Sequence, residues 1–78
     1  MTLADLPMGQ SSLVVSVRGE DVVTRRLMEM GVIPGVSVRM IKSAPFGDPL
    51  EISVRGYSLA LRRNEAESVV LETVSTNE

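Results

Sequence analysis

The amino-acid sequence predicts a mainly β fold: five short strands curled into a small barrel, with one helix after the first strand and short helical turns. Three observations carry this expectation. Apolar and polar residues alternate in four separate runs, as in strands with one buried face, and a fifth apolar run, Val69–Val74, follows near the end. Only Glu20–Met30 carries apolar residues at helical spacing over any length. Glycine and proline punctuate the gaps between these runs.

The 78 residues suffice for one domain, 1–78, with the tail Ser75–Glu78 frayed. A domain of this size hides only about 60–65% of its unfolded surface. Cysteine is absent, so neither a disulfide framework nor a cysteine zinc site can supplement the core. Apolar packing must hold the fold, and a 44% hydrophobic content is enough for it.

In chain order, Thr2–Leu6 reads as an opening turn with Thr2 as its cap, stopped by Pro7–Gly9. Leu13, Val15 and Val17 alternate with Val14, Ser16 and Arg18, which makes a half-buried strand ended by Gly19. The helix follows. Glu20 and Asp21 sit in its first turn, where carboxylates favour the helix dipole, and Asp21–Arg25 is a well-oriented i,i+4 pair. Val23, Leu27 and Met30 form its core stripe, and Gly31 is placed for a left-handed cap with Pro34 just beyond. Val36, Val38 and Met40 then alternate with Ser37, Arg39 and Ile41. APFGDP is a turn with Pro45 at its second position and Gly47 at its end. Leu50, Ile52 and Val54 alternate with Glu51, Ser53 and Arg55, Gly56 marks a tight connection, and Tyr57, Leu59 and Leu61 alternate again. Asn64–Ser68 reads as one helical turn capped by Asn64, and Val69–Val74 as the last strand.

Five short strands in so small a chain cannot lie flat and still bury an apolar face. Curling into a barrel solves this and hides the edges. An SH3-like barrel with the helix over one opening is the first choice. An OB-like barrel comes second, because its helix normally lies between the third and fourth strands.

Composition narrows the function. Without histidine or cysteine the chain lacks the usual general base, the thiol nucleophile and the commonest transition-metal ligands. The carboxylate pairs Glu20–Asp21 and Glu65–Glu67 sit where solvated acids are common. No catalytic residue, metal site or cofactor is therefore assigned. A net charge of −2 with mixed signs argues against nucleic acid as a partner. Phe46 and Tyr57 are the only aromatics, too few for a polyproline groove or a base-stacking platform. No apolar run approaches the ~18–20 residues of a membrane span, and the N-terminus lacks a signal-peptide pattern. The expectation is a cytoplasmic, non-catalytic protein that acts by protein–protein interaction.

A singly exposed apolar residue means little, but a cluster of them outside the core marks a docking surface, and the alternative for Phe46 and Met28 is that each folds back onto the barrel. At 100° per residue, Val22, Arg25, Arg26 and Glu29 share the helix face opposite the core stripe, with Met28 off that stripe. Phe46 stands at the tip of the APFGDP turn. Val22, Arg25, Arg26, Met28 and Phe46 are the candidate partner-binding residues.

The stretch RRLMEMGVIPGVSVRM, followed by APFGDPLEISVRGYSLALRRNEAESV, resembles the ferrous iron transport protein A family, the small cytosolic component of the bacterial Feo system. TLADLPMGQ resembles that family's start, so the likeness covers roughly residues 2–71. It rests on the order and spacing of many positions, among them Gly9, Gly31, Pro34, Gly35, Pro45, Gly47, Asp48, Pro49, Gly56 and Ala66. The resemblance implies an SH3-like fold and a role in ferrous iron uptake. Its implied partner is the large membrane iron permease with a cytoplasmic GTP-binding domain, which would recruit the chain to the inner face of the membrane. The alternative is a free-standing SH3-like regulatory module related to the C-terminal domain of metal-dependent transcriptional repressors.

Overall fold

The computed structural model describes residues 1–19 and 21–72. A 3₁₀ turn, Leu3–Asp5, opens the chain. It is followed by β1 (Ser11–Val17), α1 (Asp21–Glu29), β2 (Ser37–Ser43), β3 (Leu50–Val54), β4 (Tyr57–Leu61), α2 (Arg63–Ala66) and β5 (Val69–Leu71). The five strands form one antiparallel sheet in the order β4-β3-β2-β1-β5. This is the SH3-like arrangement expected, with one correction. The sheet curls but does not close, because β4 and β5 stand at its two ends and are not paired with each other. Part of the β5 edge is instead met by the N-terminus, where Thr2 bridges Val70 and the Leu71 N–H donates to the Met1 carbonyl at 2.8 Å.

Strand periodicity is obeyed most strictly in β2 and β3. Val38, Met40, Leu50, Ile52 and Val54 are all buried, while Ser37, Arg39 and Ile41 face water. In β4 Leu61 is buried, Leu59 half-buried and Tyr57 exposed. The Tyr57 hydroxyl donates to the Met30 carbonyl and so satisfies an acceptor just beyond α1.

β1 departs from the simple alternation. Val14 is its buried residue, whereas Leu13 and Val15 are exposed. The reason is a register shift between Val14 and Ser16: the first half of β1 pairs with β2 and the second half with β5. A bulge of this kind bends the strand and re-aims its side chains.

α1 keeps the predicted phase. Leu27 is wholly buried, and Val23 and Met30 pack half-buried against the core. Gly31, at φ +97°, ends it in the left-handed conformation, with its N–H donating to the Met28 carbonyl at 3.0 Å. Glu20 and the side chain of Asp21 lie outside the described residues, and with them the first-turn carboxylates and the Asp21–Arg25 pair. The Thr73–Val74 end of the last strand and the 75–78 tail lie outside as well.

α2 begins before the predicted Asn64 cap, with Arg62 in the capping position. The early start follows from two acids that meet the free donors of its first turn. Glu65 Oε1 accepts the Arg62 N–H at 2.9 Å, and Asp48 Oδ1 accepts the Arg63 N–H at 3.1 Å. The opening turn has a similar device. The Thr2 N–H and hydroxyl both donate to Asp5 Oδ2, at 3.1 and 3.2 Å.

Candidate functional site

The structure divides the five candidate residues among three places. Arg25 and Met28 come together at a shallow depression on the outer side of α1, with Thr24, Glu29 and Ile33 completing its lining. Met28 is exposed and Ile33 half-buried, so the depression has apolar walls, with the charged residues Arg25 and Glu29 also lining it. Val22 lies on the same exposed helix surface, at 79% exposure.

Arg26 belongs elsewhere. It projects from the other flank of α1 and forms an ion pair with Glu65 of α2. It lines a second depression with Met30, Pro49, Ala60, Leu61 and Arg62. Arg62 in turn faces Asp48 at 3.7 Å. Helical phase alone could not separate Arg26 from Arg25, because the distinction depends on where α2 packs.

Phe46 lines neither depression and is 97% exposed at the tip of the β2–β3 turn. The turn itself forms as its sequence predicts: the Gly47 N–H donates to the Ala44 carbonyl at 2.7 Å. Three features went unread in the sequence. Ile33 belongs to the α1 depression although it lies beyond the helix, so no helical spacing points to it. Leu13 and Val15 form an apolar outer surface on β1. Arg63 is half-buried and bonded to both Gly47 and Ala4.

Among the described residues no three or more Asp, Glu, His or Cys side chains converge as a metal site would require. No described helix is long and apolar enough to cross a membrane. Asp5, in the opening turn, has a displaced acidity. Its carboxyl is held below the ordinary aspartate value, first by the Thr2 backbone N–H and then by the Thr2 hydroxyl. It serves the opening turn and touches neither depression. The α1 depression itself offers apolar walls from Met28 and Ile33 with Arg25 and Glu29 beside them.

Comparison with known proteins bears on the family and the fold. The family model described as the FeoA domain matches residues 1–73. A Porphyromonas gingivalis (strain ATCC BAA-308 / W83) protein named as a fusion of Fe(2+) transport protein A with the Fe(2+) transporter FeoB is 32% identical over 77 residues. That match takes in 99% of this chain but only 9% of the fusion protein. The solution structure of FeoA from Chlorobium tepidum superimposes with a TM-score of 0.90 at 38% identity, covering 100% of this chain and 74% of that one. The crystal structure of Stenotrophomonas maltophilia FeoA, an SH3 domain protein complexed with zinc, gives 0.83 at 41% identity, covering 92% and 89%. A manganese-dependent transcriptional repressor shares the fold alone, with a TM-score of 0.84 at 12% identity over 95% of this chain and 41% of that one.

Proposed function

The chain belongs to the FeoA family, and from that premise we propose that it is a non-catalytic accessory protein of ferrous iron uptake. It acts in the cytoplasm by docking on the cytoplasmic, GTP-binding part of the iron permease at the inner face of the membrane. The observation that carries this reading is the relative in which a chain of this kind and the transporter FeoB are one polypeptide. Two parts joined covalently in one organism are natural partners when separate, since fusion only raises their effective concentration.

The docking surface is the outer side of α1, with Val22, Arg25 and Met28, together with Phe46, and Arg26 on the other flank is left to its ion pair with Glu65. These residues are exposed and none lies in the core. Met adapts to irregular partner surfaces, and Arg is a frequent interface hot spot. Catalysis by the chain itself has no support, given the absence of histidine and cysteine from the sequence. Iron enters the function through the partner. A chain without imidazole or thiolate lacks the nitrogen and sulfur donors that most often hold ferrous iron tightly.

Two measurements test the reading. The double variant Met28→Glu with Arg25→Glu should fold normally and fail to bind the permease's cytoplasmic domain. Wild-type affinity in that folded variant would remove the α1 surface from the account. Anaerobic calorimetry with ferrous iron alone should show no tight one-to-one site. A site of micromolar or better affinity would make the iron link direct.

A further inference from the structure

We infer that Phe46 is a preformed anchor whose ring enters an apolar socket on the docking partner, and that Arg63 is the positioning residue that presents it. The inference rests on the docking reading above and adds to it a mode of binding and a residue.

Phe46 contributes nothing to the core, since its side chain is 97% exposed. The turn that carries it, by contrast, is closed by hydrogen bonds on both sides of Phe46. The Gly47 N–H closes the turn onto the Ala44 carbonyl at 2.7 Å, and the Ala44 N–H closes its base onto the Pro49 carbonyl at 3.0 Å. Pro45 precedes Phe46 directly and fixes one more backbone angle. Arg63 then binds the turn from α2. Its N–H donates to Asp48 Oδ1 at 3.1 Å and its Nε to the Gly47 carbonyl at 2.9 Å. Nη1 reaches the Ala4 carbonyl at 3.4 Å. One half-buried arginine thus joins the turn, α2 and the N-terminal 3₁₀ turn.

Such a clamp holds the turn in one shape while leaving its largest apolar side chain in water. An ordered loop loses little freedom on association, and a phenyl ring has only two torsions to freeze. A rigid aromatic knob is the kind of residue on which binding energy concentrates. The occupant is a protein surface with an apolar socket one ring wide and a polar rim. That rim would face Asp48 and Arg62, an exposed pair of opposite sign beside the turn. A membrane is the poorer fit. Surface-bound segments combine several apolar side chains with a basic cluster, whereas here one ring stands beside a neutralised pair on a chain of net charge −2.

The test is calorimetric titration of the purified cytoplasmic domain of the permease with the wild type, Phe46→Ala, Arg63→Ala and the double variant. Circular dichroism checks each fold. Phe46→Ala should weaken binding by about tenfold or more with its melting curve unchanged. Arg63→Ala should weaken it by roughly threefold to tenfold in the wild type and not at all in the Phe46→Ala background, the non-additivity expected of coupled residues. If Arg63→Ala does not fold, Arg63→Lys serves, because it keeps the charge and loses the forked donors. Wild-type affinity in Phe46→Ala would overturn the anchor and leave docking through the α1 surface intact. A wild type that does not bind would overturn both. Equal losses from the Arg63 change in both backgrounds would reduce Arg63 to a structural role. Self-association of the wild type, or binding to phosphatidylglycerol vesicles, that disappears in Phe46→Ala would give the ring another occupant and overturn the proposal.

Discussion

The hairpin of β2 and β3 spans the full range of burial found among the described large apolar residues. In its strands Ile52 and Val54 are 0% exposed, and at its tip Phe46 is 97% exposed. The same hairpin spends apolar residues on the core at one end and on solvent at the other. The difference is one of reach. In the strands each inward side chain meets the core cluster, so burial stabilises the fold. At the tip the Phe46 ring stays in water and adds nothing to the burial that holds the fold. α1 repeats the contrast across its width, with Leu27 at 0% and Val22 at 79%.

The largest effects should fall in the strands and on the inner face of α1. Ile52→Ala and Leu27→Ala should each cost about 2–5 kcal/mol, because each removes a fully buried side chain and leaves a cavity. Denaturant midpoints measure this, and an unchanged midpoint for either would break the comparison at its buried end. The turn should respond more moderately. Gly47→Ala should cost about 1 kcal/mol or somewhat more. Gly47 has φ +83°, and the added methyl would stand 3.3 Å from Arg63 Nη2. A stable Gly47→Ala variant would mean that the turn is less tightly held than its hydrogen bonds imply.

The smallest stability effects belong to the surface. Asp5→Asn should destabilise at neutral pH only, and the sign follows from linkage. The Asp5 carboxyl is held below its ordinary value in the folded chain, so its contribution is present above the unfolded value near ~4 and disappears as pH falls through the lowered folded value. Wild type and Asp5→Asn should therefore differ at pH 7 and converge at strongly acid pH. A constant gap across that range would mean that the charge on Asp5 is not what matters. Phe46→Ala should change stability by no more than about 0.5 kcal/mol, as for other exposed sites. A loss comparable to that of Ile52→Ala would show that the ring packs on the barrel after all.

The sequence was most legible where one physical rule acted alone. β3 and the Ser37–Ile41 part of β2 keep a period of two, and their buried sets emerge directly from the pattern, up to the register shift between Met40 and Lys42. α1 has a single buried stripe, so its phase also locates the exposed Val22, Arg25 and Met28. Reading failed where two rules met. The bulge in β1 reverses which residues face inward, and it arises from pairing with two different strands, a tertiary fact. The start of α2 moved because Asp48, fifteen residues before Arg63, supplies one of its caps. Closure of the barrel was expected from edge chemistry, yet the N-terminus covers part of one edge instead. In the candidate site, Ile33 and Arg63 act through neighbours remote in sequence or outside their own element, so no local pattern announces them.

The central claim is that this chain docks through the outer side of α1 and the Phe46 turn while its strands serve only the fold. The most direct test is to follow backbone and methyl resonances of the labelled chain as the permease's cytoplasmic domain is added. The account predicts saturable shifts at Val22, Arg25, Met28 and Phe46, with the Ile52 and Val54 signals unmoved. Shifts centred on Leu13 and Val15 of β1 instead, or none at saturating partner, would contradict it.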